Sequence, residues 1–466
     1  MRIEKDSLGE KKIPDNALWG VQVARAIENF PISDTSVDLG LVYAYAELKK
    51  ACTQANQVLG LLKPALARPI LKAIEEILHG KYDSQFVVDQ YQAGAGTSTN
   101  MNLNEVIANR ALQLIGKKSG NYEIISPNDH VNMAQSTNDT YPSALHIAIT
   151  TAYGKLDSSL KTLEESLRKK GNEFKSVITS ARTHLQDAVP ITLGQEFMAY
   201  SHTLAGIRNT VRLAKESLRT LGIGGSAAGT GLNTHPRFSK LVIKYLNANT
   251  GHSFKNAPDL IESMQSQRQL LEFADALKIA ATEISRIASD LRLLASGPKT
   301  GFHEIILPPV QPGSSIMPGK INPSILECVN MVCYRVIGSE ATVAQAVLGG
   351  QLNLNVNMPL MASEVLHSIK ILGNAVTIMA EKCIDGITAD KEKTLQYAHK
   401  SAGLATALNP ILGYASVAEI VKESARTKES LPEIIVRKKL LSPQELKKIL
   451  DPARMTKPGI AKKVST

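Results

Sequence analysis

Two serines, a lysine and an asparagine fall within the eleven residues Gly313-Ser-Ser-Ile-Met-Pro-Gly-Lys-Ile-Asn-Pro323. Glycine and proline punctuate the run throughout, so neither helix nor strand passes through it. A loop of this composition offers several backbone N–H groups and one cation to an anion, which is the recipe for an oxyanion site. It is not a nucleotide phosphate loop. That pattern needs four residues between its glycine and the Gly-Lys pair, with Ser or Thr next, whereas five intervene here and Ile321 follows Lys320. Three more polar runs accompany it: Thr97-Ser-Thr-Asn100, Gln135-Ser-Thr-Asn-Asp139 and Arg182-Thr-His-Leu-Gln-Asp187. Taken singly, each reads as a cap or a turn, and the Thr and Ser of Gly94–Asn100 are N-cap candidates. Together they supply neutral donors, one lysine and one histidine, a set suited to a small carboxylate.

Removing a proton beside a carboxylate gives a carbanion that survives only by spreading its charge onto that carboxylate. A site for this chemistry binds the resulting dianion better than the substrate, and places a base beside the Cβ proton. Serine is a poor base unless N–H groups or a cation stabilise its alkoxide, and the loop around Lys320 is suited to do so. No zinc motif, P-loop or cofactor-lysine pattern offers a rival, so no metal or cofactor is expected. The four cysteines, Cys52, Cys328, Cys333 and Cys383, form no CxxC pair, and reduced thiols in a cytoplasmic protein are the expectation.

Long helices are the elements expected to position these runs. Leu145 to Leu167 mark one apolar stripe. Leu193, Phe197, Tyr200, Leu204, Ile207, Val211, Ala214 and Leu218 step by alternating fours and threes, as do Leu270 to Leu294 and Val365 to Met379. That 3.5-residue period keeps one seam on a partner in a left-handed bundle. The reading is a mainly α protein with an N-terminal domain over 1–138, a central long-helix bundle over 139–390 and a small helical C-terminal domain over 391–466. Further helices are expected over 39–59, 64–79 and 101–114, after an irregular or short-stranded entry. Gly222-Ile-Gly-Gly-Ser-Ala-Ala-Gly-Thr-Gly231 matches a dinucleotide fingerprint only loosely, and a mobile turn is expected there. A hydrophobic content of 43% with 21% charged residues is that of a soluble globular chain, and no stretch approaches a membrane span. Of the net charge of +10, a surplus of seven lies from Arg426 onward, where eleven Lys/Arg meet four Asp/Glu. With few aromatics among them, they read as a solvated tail and not as a nucleic-acid surface.

The loop Gly313–Pro323 resembles the signature of the aspartase/fumarase superfamily. Gly94–Asn102, Gln135–Asn138, Arg182–Asp187 and Leu18-Trp-Gly-Val21 resemble its other shared segments, in the same order. Within the family the sequence is more similar to aspartases than to fumarases, at Thr137, Gly94-Ala-Gly-Thr-Ser98, Gln351–Val356 and Asp451–Ala461, whereas Asn357-Met358-Pro359 departs from the usual pattern. The resemblance implies an elongated central helical bundle flanked by smaller domains, and a homotetramer with active sites composed from three chains. It implies cofactor-independent, reversible deamination of L-aspartate to fumarate and ammonia, with fumarate hydration or a catalytically idle relative as alternatives. Ser314 would take the Cβ proton; Lys320 and Asn322 would hold the aci-carboxylate, with Ser315 beside them. Thr97, Ser136, Thr137, Asn138 and Thr183 would bind the carboxylates and amine. His184 would contact the substrate and pair with Glu327.

Overall fold

Steps of four and three residues between apolar positions give long helices: Thr137–Glu173, Leu193–Ser217, Arg268–Leu294, Ser324–Leu348 and Met358–Lys382. The computed structural model describes residues 1–461, and the last five residues of the expected C-terminal domain and basic tail lie outside them. The stripes are buried as the period requires: Leu156, Leu160, Leu163 and Leu167 on the first helix, Phe273, Leu277, Ala280 and Ile284 on the third, and Leu372, Val376 and Met379 on the last. Each such Leu, Ile or Phe contributes about 1.5–3 kcal/mol by leaving water.

The described residues group into two compact units that do not follow chain order. One comprises Met1–Ser158, Ile207–Thr282 and Val332–Gly373, and the other Ser159–Gly206, Glu283–Met331 and the described residues from Asn374 onward. The first unit opens on an antiparallel hairpin, Arg2–Asp6 with Gly9–Ile13. A helix the sequence did not announce follows at Val21–Asn29. Its entry is tied down from below: the buried carboxylate of Glu105 accepts the N–H groups of Gly20 and Gln22 at 2.6 and 2.9 Å. Burial drives that carboxyl up to about 7. Helices Leu39–Val58 and Pro64–Leu78 lie at the expected positions, and Leu39–Val58 packs against both Pro64–Leu78 and Phe238–Thr250.

The expected capping role of Thr97–Asn100 is corrected. The helix runs Thr97–Leu114, four residues earlier than the periodicity suggested, and its N-cap is Gly96 in the left-handed region, with no side-chain cap. Only glycine fits there: φ is +85°, and a Cβ would sit 2.2 Å from the ring of Tyr141. Thr97 and Asn100 therefore form the first helical turn, three residues apart on one face.

The second unit contains a hairpin the sequence did not announce, Ile178–Thr183 with Gln186–Thr192. Prolines then divide the chain into short helices, including Tyr414–Thr427, Leu431–Arg437 and Pro443–Ile449. Ser430 with Glu433, and Ser442 with Glu445, close reciprocal capping boxes at two of them. Leu408, Ile420, Ile434, Ile435 and Leu446 share their small core.

Candidate active site

The Gly313–Pro323 loop is folded on itself. Gly313 N–H donates to the Lys320 carbonyl at 2.9 Å, and Asn322 Nδ2 donates to the Gly313 carbonyl. A Cβ on Gly313 would lie 2.4 Å from the Lys320 oxygen, so this closure requires glycine. Within the ring, Ser314 Oγ accepts the N–H groups of Met317 and Ile316 at 2.9 and 3.2 Å. Two N–H donors aimed at one hydroxyl oxygen favour its deprotonated form. Ser315 and Lys320 are exposed on the same loop, and Lys320 forms no ion pair among the described residues. Beside the loop lies a cavity of about 800 Å³ lined by Arg292, His303, Ile305, Lys320 and Asn322. Glu327 sits in the first turn of helix Ser324–Leu348 and faces Arg292 at 3.9 Å; within one chain it makes no pair with His184.

Thr183 and His184 occupy the exposed tip of the hairpin, where the strands turn over His184 and Leu185. Beneath the tip, Arg182 pairs with Glu304, a carboxylate with no solvent exposure. Glu196, half-buried nearby, is pushed up to about 7 by desolvation and by the charge of Glu304.

In the first unit, Ser136, Thr137 and Asn138 are held by a polar network, and Thr97 is exposed in the first turn of its helix. Asn100 Nδ2 donates to Thr137 Oγ1 at 2.9 Å, which leaves the Thr137 hydrogen for another acceptor. The same amide reaches Asn132 Oδ1 at 3.3 Å, and that oxygen also accepts Asn104 Nδ2 at 3.2 Å and the buried Lys49 amine at 2.9 Å. Burial lowers the Lys49 amine to about 7. Ser136 Oγ accepts the Asn138 N–H at 3.2 Å, and Asn138 Nδ2 donates to the Ala227 carbonyl at 2.8 Å.

Gly222–Gly231 finds its explanation here. A two-residue strand, Thr220–Leu221, precedes the glycine run. Its amides form a nest for an internal anion: Gly224 and Ser226 each donate at 3.0 Å to one oxygen of Asp139, whose other oxygen accepts Ser136 N–H at 3.0 Å. Burial raises that carboxyl to about 6 against these bonds. Asp139 thus ties the Ser136–Asn138 turn to the glycine run. The polar runs of the sequence include Asn100 and Asp139 without assigning either a part, and they leave out Lys49 and Asn132. The one available signal was a lysine on the apolar face of helix Leu39–Val58, beside Tyr45, Leu48 and Cys52.

Among the described residues, no group of three or more His, Cys, Asp and Glu is arranged to hold a metal ion, and no helix is long and apolar enough to cross a membrane. The family model described as "Lyase" matches residues 9–338, and that described as "Fumarase C C-terminus" matches residues 404–457. An aspartate ammonia-lyase of Helicobacter pylori is 46% identical over 465 residues, covering 99% of both chains. One from a Bacillus species is 44% identical over 461 residues, covering 99% of this chain and 98% of its own. Among solved structures, a fumarate lyase:delta crystallin from Brucella melitensis bound to cobalt superposes with a TM-score of 0.95 at 45% identity, over 98% of this chain and 100% of its own. A class II fumarase from Schistosoma mansoni has the same TM-score at 35% identity, over 98% of this chain and 99% of its own.

Proposed function

This chain belongs to the aspartase/fumarase superfamily of lyases, and from that premise we infer that it is an aspartate ammonia-lyase, converting L-aspartate reversibly to fumarate and ammonia. The observation that carries the chemistry is the pair of N–H groups converging on Ser314 Oγ. They favour the alkoxide that a seryl base requires. Ser314 takes the Cβ proton, and the electron pair moves into the adjacent carboxylate to give a doubly charged aci-acid. Lys320 and Asn322 hold that dianion, with the loop amides and Ser315 beside them. The pair then returns, the Cα–N bond breaks, and the ammonium group leaves as neutral ammonia. A hydroxyl would need a proton from an acid to leave, which is the physical difference between this reaction and dehydration of malate.

Thr97, Ser136, Thr137, Asn138 and Thr183 bind the carboxylates and amine, and His184 contacts the substrate. Because Glu327 faces Arg292 within its own chain, its pairing with His184 belongs to the assembled protein, a homotetramer with sites composed from three copies. The enzyme works in the cytoplasm without a cofactor, and nucleic acid and membrane are not partners. Fumarate mixed with ammonium tests the reading: it requires ammonium-dependent loss of fumarate absorbance, abolished by Ser314→Ala. Malate formation at a rate indifferent to ammonium assigns the hydratase reaction instead.

A further inference from the structure

The hairpin that carries Thr183 and His184 is not built from the residues its turn prefers. His184 and Leu185 both have φ of 57°, the geometry of a two-residue type I′ turn that Asn-Gly fills without strain. A leucine there is strained, and Leu185 gains nothing from burial, being 67% exposed. Such a conformation persists only where the surrounding structure dictates it.

Two features below the tip do so. The first is a register irregularity. Ser180 pairs with Pro190 and Arg182 with Asp187, so the second strand carries an extra residue at Ala188–Val189. A bulge of this kind bends the strand and re-aims what lies beyond it. The Ala188 carbonyl is gripped by the hydroxyls of Ser401 at 2.7 Å and Ser180 at 3.2 Å, and a Cβ on Gly403 would lie 2.2 Å from that oxygen. The second is Arg182, one residue before Thr183. Its guanidinium lies against two rings, 4.2 Å from the centroid of Phe302 and 5.0 Å from that of Tyr397, and pairs with Glu304. Glu304 in turn accepts the Thr179 hydroxyl, from the same strand, at 2.7 Å. Thr179 and Arg182 of the one strand are therefore both fixed to one buried carboxylate.

We propose that Arg182 and Glu304 are a positioning pair for the reaction: they hold the bulged hairpin so that Thr183 and His184 are presented in a turn their own residue types disfavour. Neither touches substrate; they act through the tip. The proposal rests on the reading of Thr183 and His184 as substrate contacts. Arginine is required because a planar fork both lies against the two rings and meets the carboxylate, and an ammonium does only the second.

The test is Arg182→Lys, made alone and with His184→Ala in the assembled enzyme, with kinetics on L-aspartate and a crystal structure. Arg182→Lys alone is expected to keep the circular dichroism and elution volume of the wild type and to lose about 10²-fold in kcat, the scale of a misplacement of about 1 Å. In the double variant, the lysine substitution is expected to add less than about twofold to the loss caused by His184→Ala. Independent, multiplicative losses overturn the proposal. The crystal structure of Arg182→Lys is expected to show residues 184 and 185 out of the paired positive-φ geometry, and retention of the wild-type turn overturns it. That second arm needs no turnover. A wild type inert toward aspartate therefore refutes the functional reading, while the turn geometry still decides the positioning role. Should Arg182→Lys fail to assemble, Glu304→Gln, which keeps an acceptor for Thr179, carries the same measurements.

Discussion

Replacing Asp139 with asparagine separates what this carboxylate does for stability from what it does for the site. Three backbone N–H groups, from Ser136, Gly224 and Ser226, converge on it at 3.0 Å. In Asp139→Asn the amide oxygen keeps Gly224 and Ser226, and its NH₂ then faces the Ser136 N–H. The protonated carboxyl makes the same two acceptor bonds and likewise turns a donor toward the Ser136 N–H, so the asparagine stands in for the neutral acid. A carboxyl raised from 3.8 to about 6, with these three bonds already included, is about two pH units harder to ionise in the folded state, or about 3 kcal/mol at neutral pH. The asparagine escapes that cost, so the variant gains stability at pH 7, by up to about 3 kcal/mol. The sign across pH is set by the raised value. The wild type has its full contribution from this group below about pH 4 and loses it as pH rises through about 6, whereas the variant lacks that slope. Thermal unfolding at a fixed protomer concentration from pH 4 to 8 is the assay, beside kcat/KM for aspartate. The expected result is a variant that matches the wild type near pH 4 and exceeds it in stability at pH 7, with kcat/KM lower by about 10²-fold because Ser136 has lost its anchor. Wild-type kcat/KM in a variant whose Ser136–Asn138 turn is unmoved would refute this reasoning.

Three further outcomes follow from the geometry. Ser314→Ala lowers kcat by at least about 10³-fold, at the upper part of the range for a lost proton-transfer group, while circular dichroism and assembly stay those of the wild type. Gly96→Ala forces a Cβ into the Tyr141 ring at positive φ; it destabilises by about 2–4 kcal/mol, read as a lower unfolding midpoint, and lowers kcat/KM as Thr97 shifts. The buried Lys49 amine, depressed from 10.5 to about 7, contributes stability that is present above about pH 10 and lost as pH falls through about 7. Stability measured from pH 7 to 10 therefore rises in the wild type, and the part of the rise due to this group is absent in Lys49→Met.

The long helices were legible in the sequence because a 3.5-residue stripe has one physical cause, a continuous seam, and the buried residues of Leu193–Ser217 and Arg268–Leu294 lie where the alternation put them. The Gly313–Pro323 loop was legible because its breakers and polar groups have no other common use. The hairpin was not. Its turn is His184-Leu185, which carries none of the Asn-Gly signal, and the polar run Arg182–Asp187 that spans the turn reads as a loop. The start of helix Thr97–Leu114 was missed for a related reason. Threonines before an apolar run look like caps, and only the fit of Gly96 against Tyr141 places the boundary ahead of them. The joint parts of Lys49, Asn100, Asn132 and Asp139 were not legible, because a network becomes visible only when residues distant in the chain come together. The two compact units likewise interleave segments that chain order keeps apart, and helix Thr137–Glu173 contributes to both.

The most direct measurement of the central claim supplies L-aspartate and L-malate separately to the wild type and to Ser314→Ala, and follows fumarate absorbance. The account predicts fumarate from aspartate, with release of ammonia, and its loss in the variant. Fumarate from malate alone, or an aspartate reaction indifferent to the Ser314 hydroxyl, would contradict it.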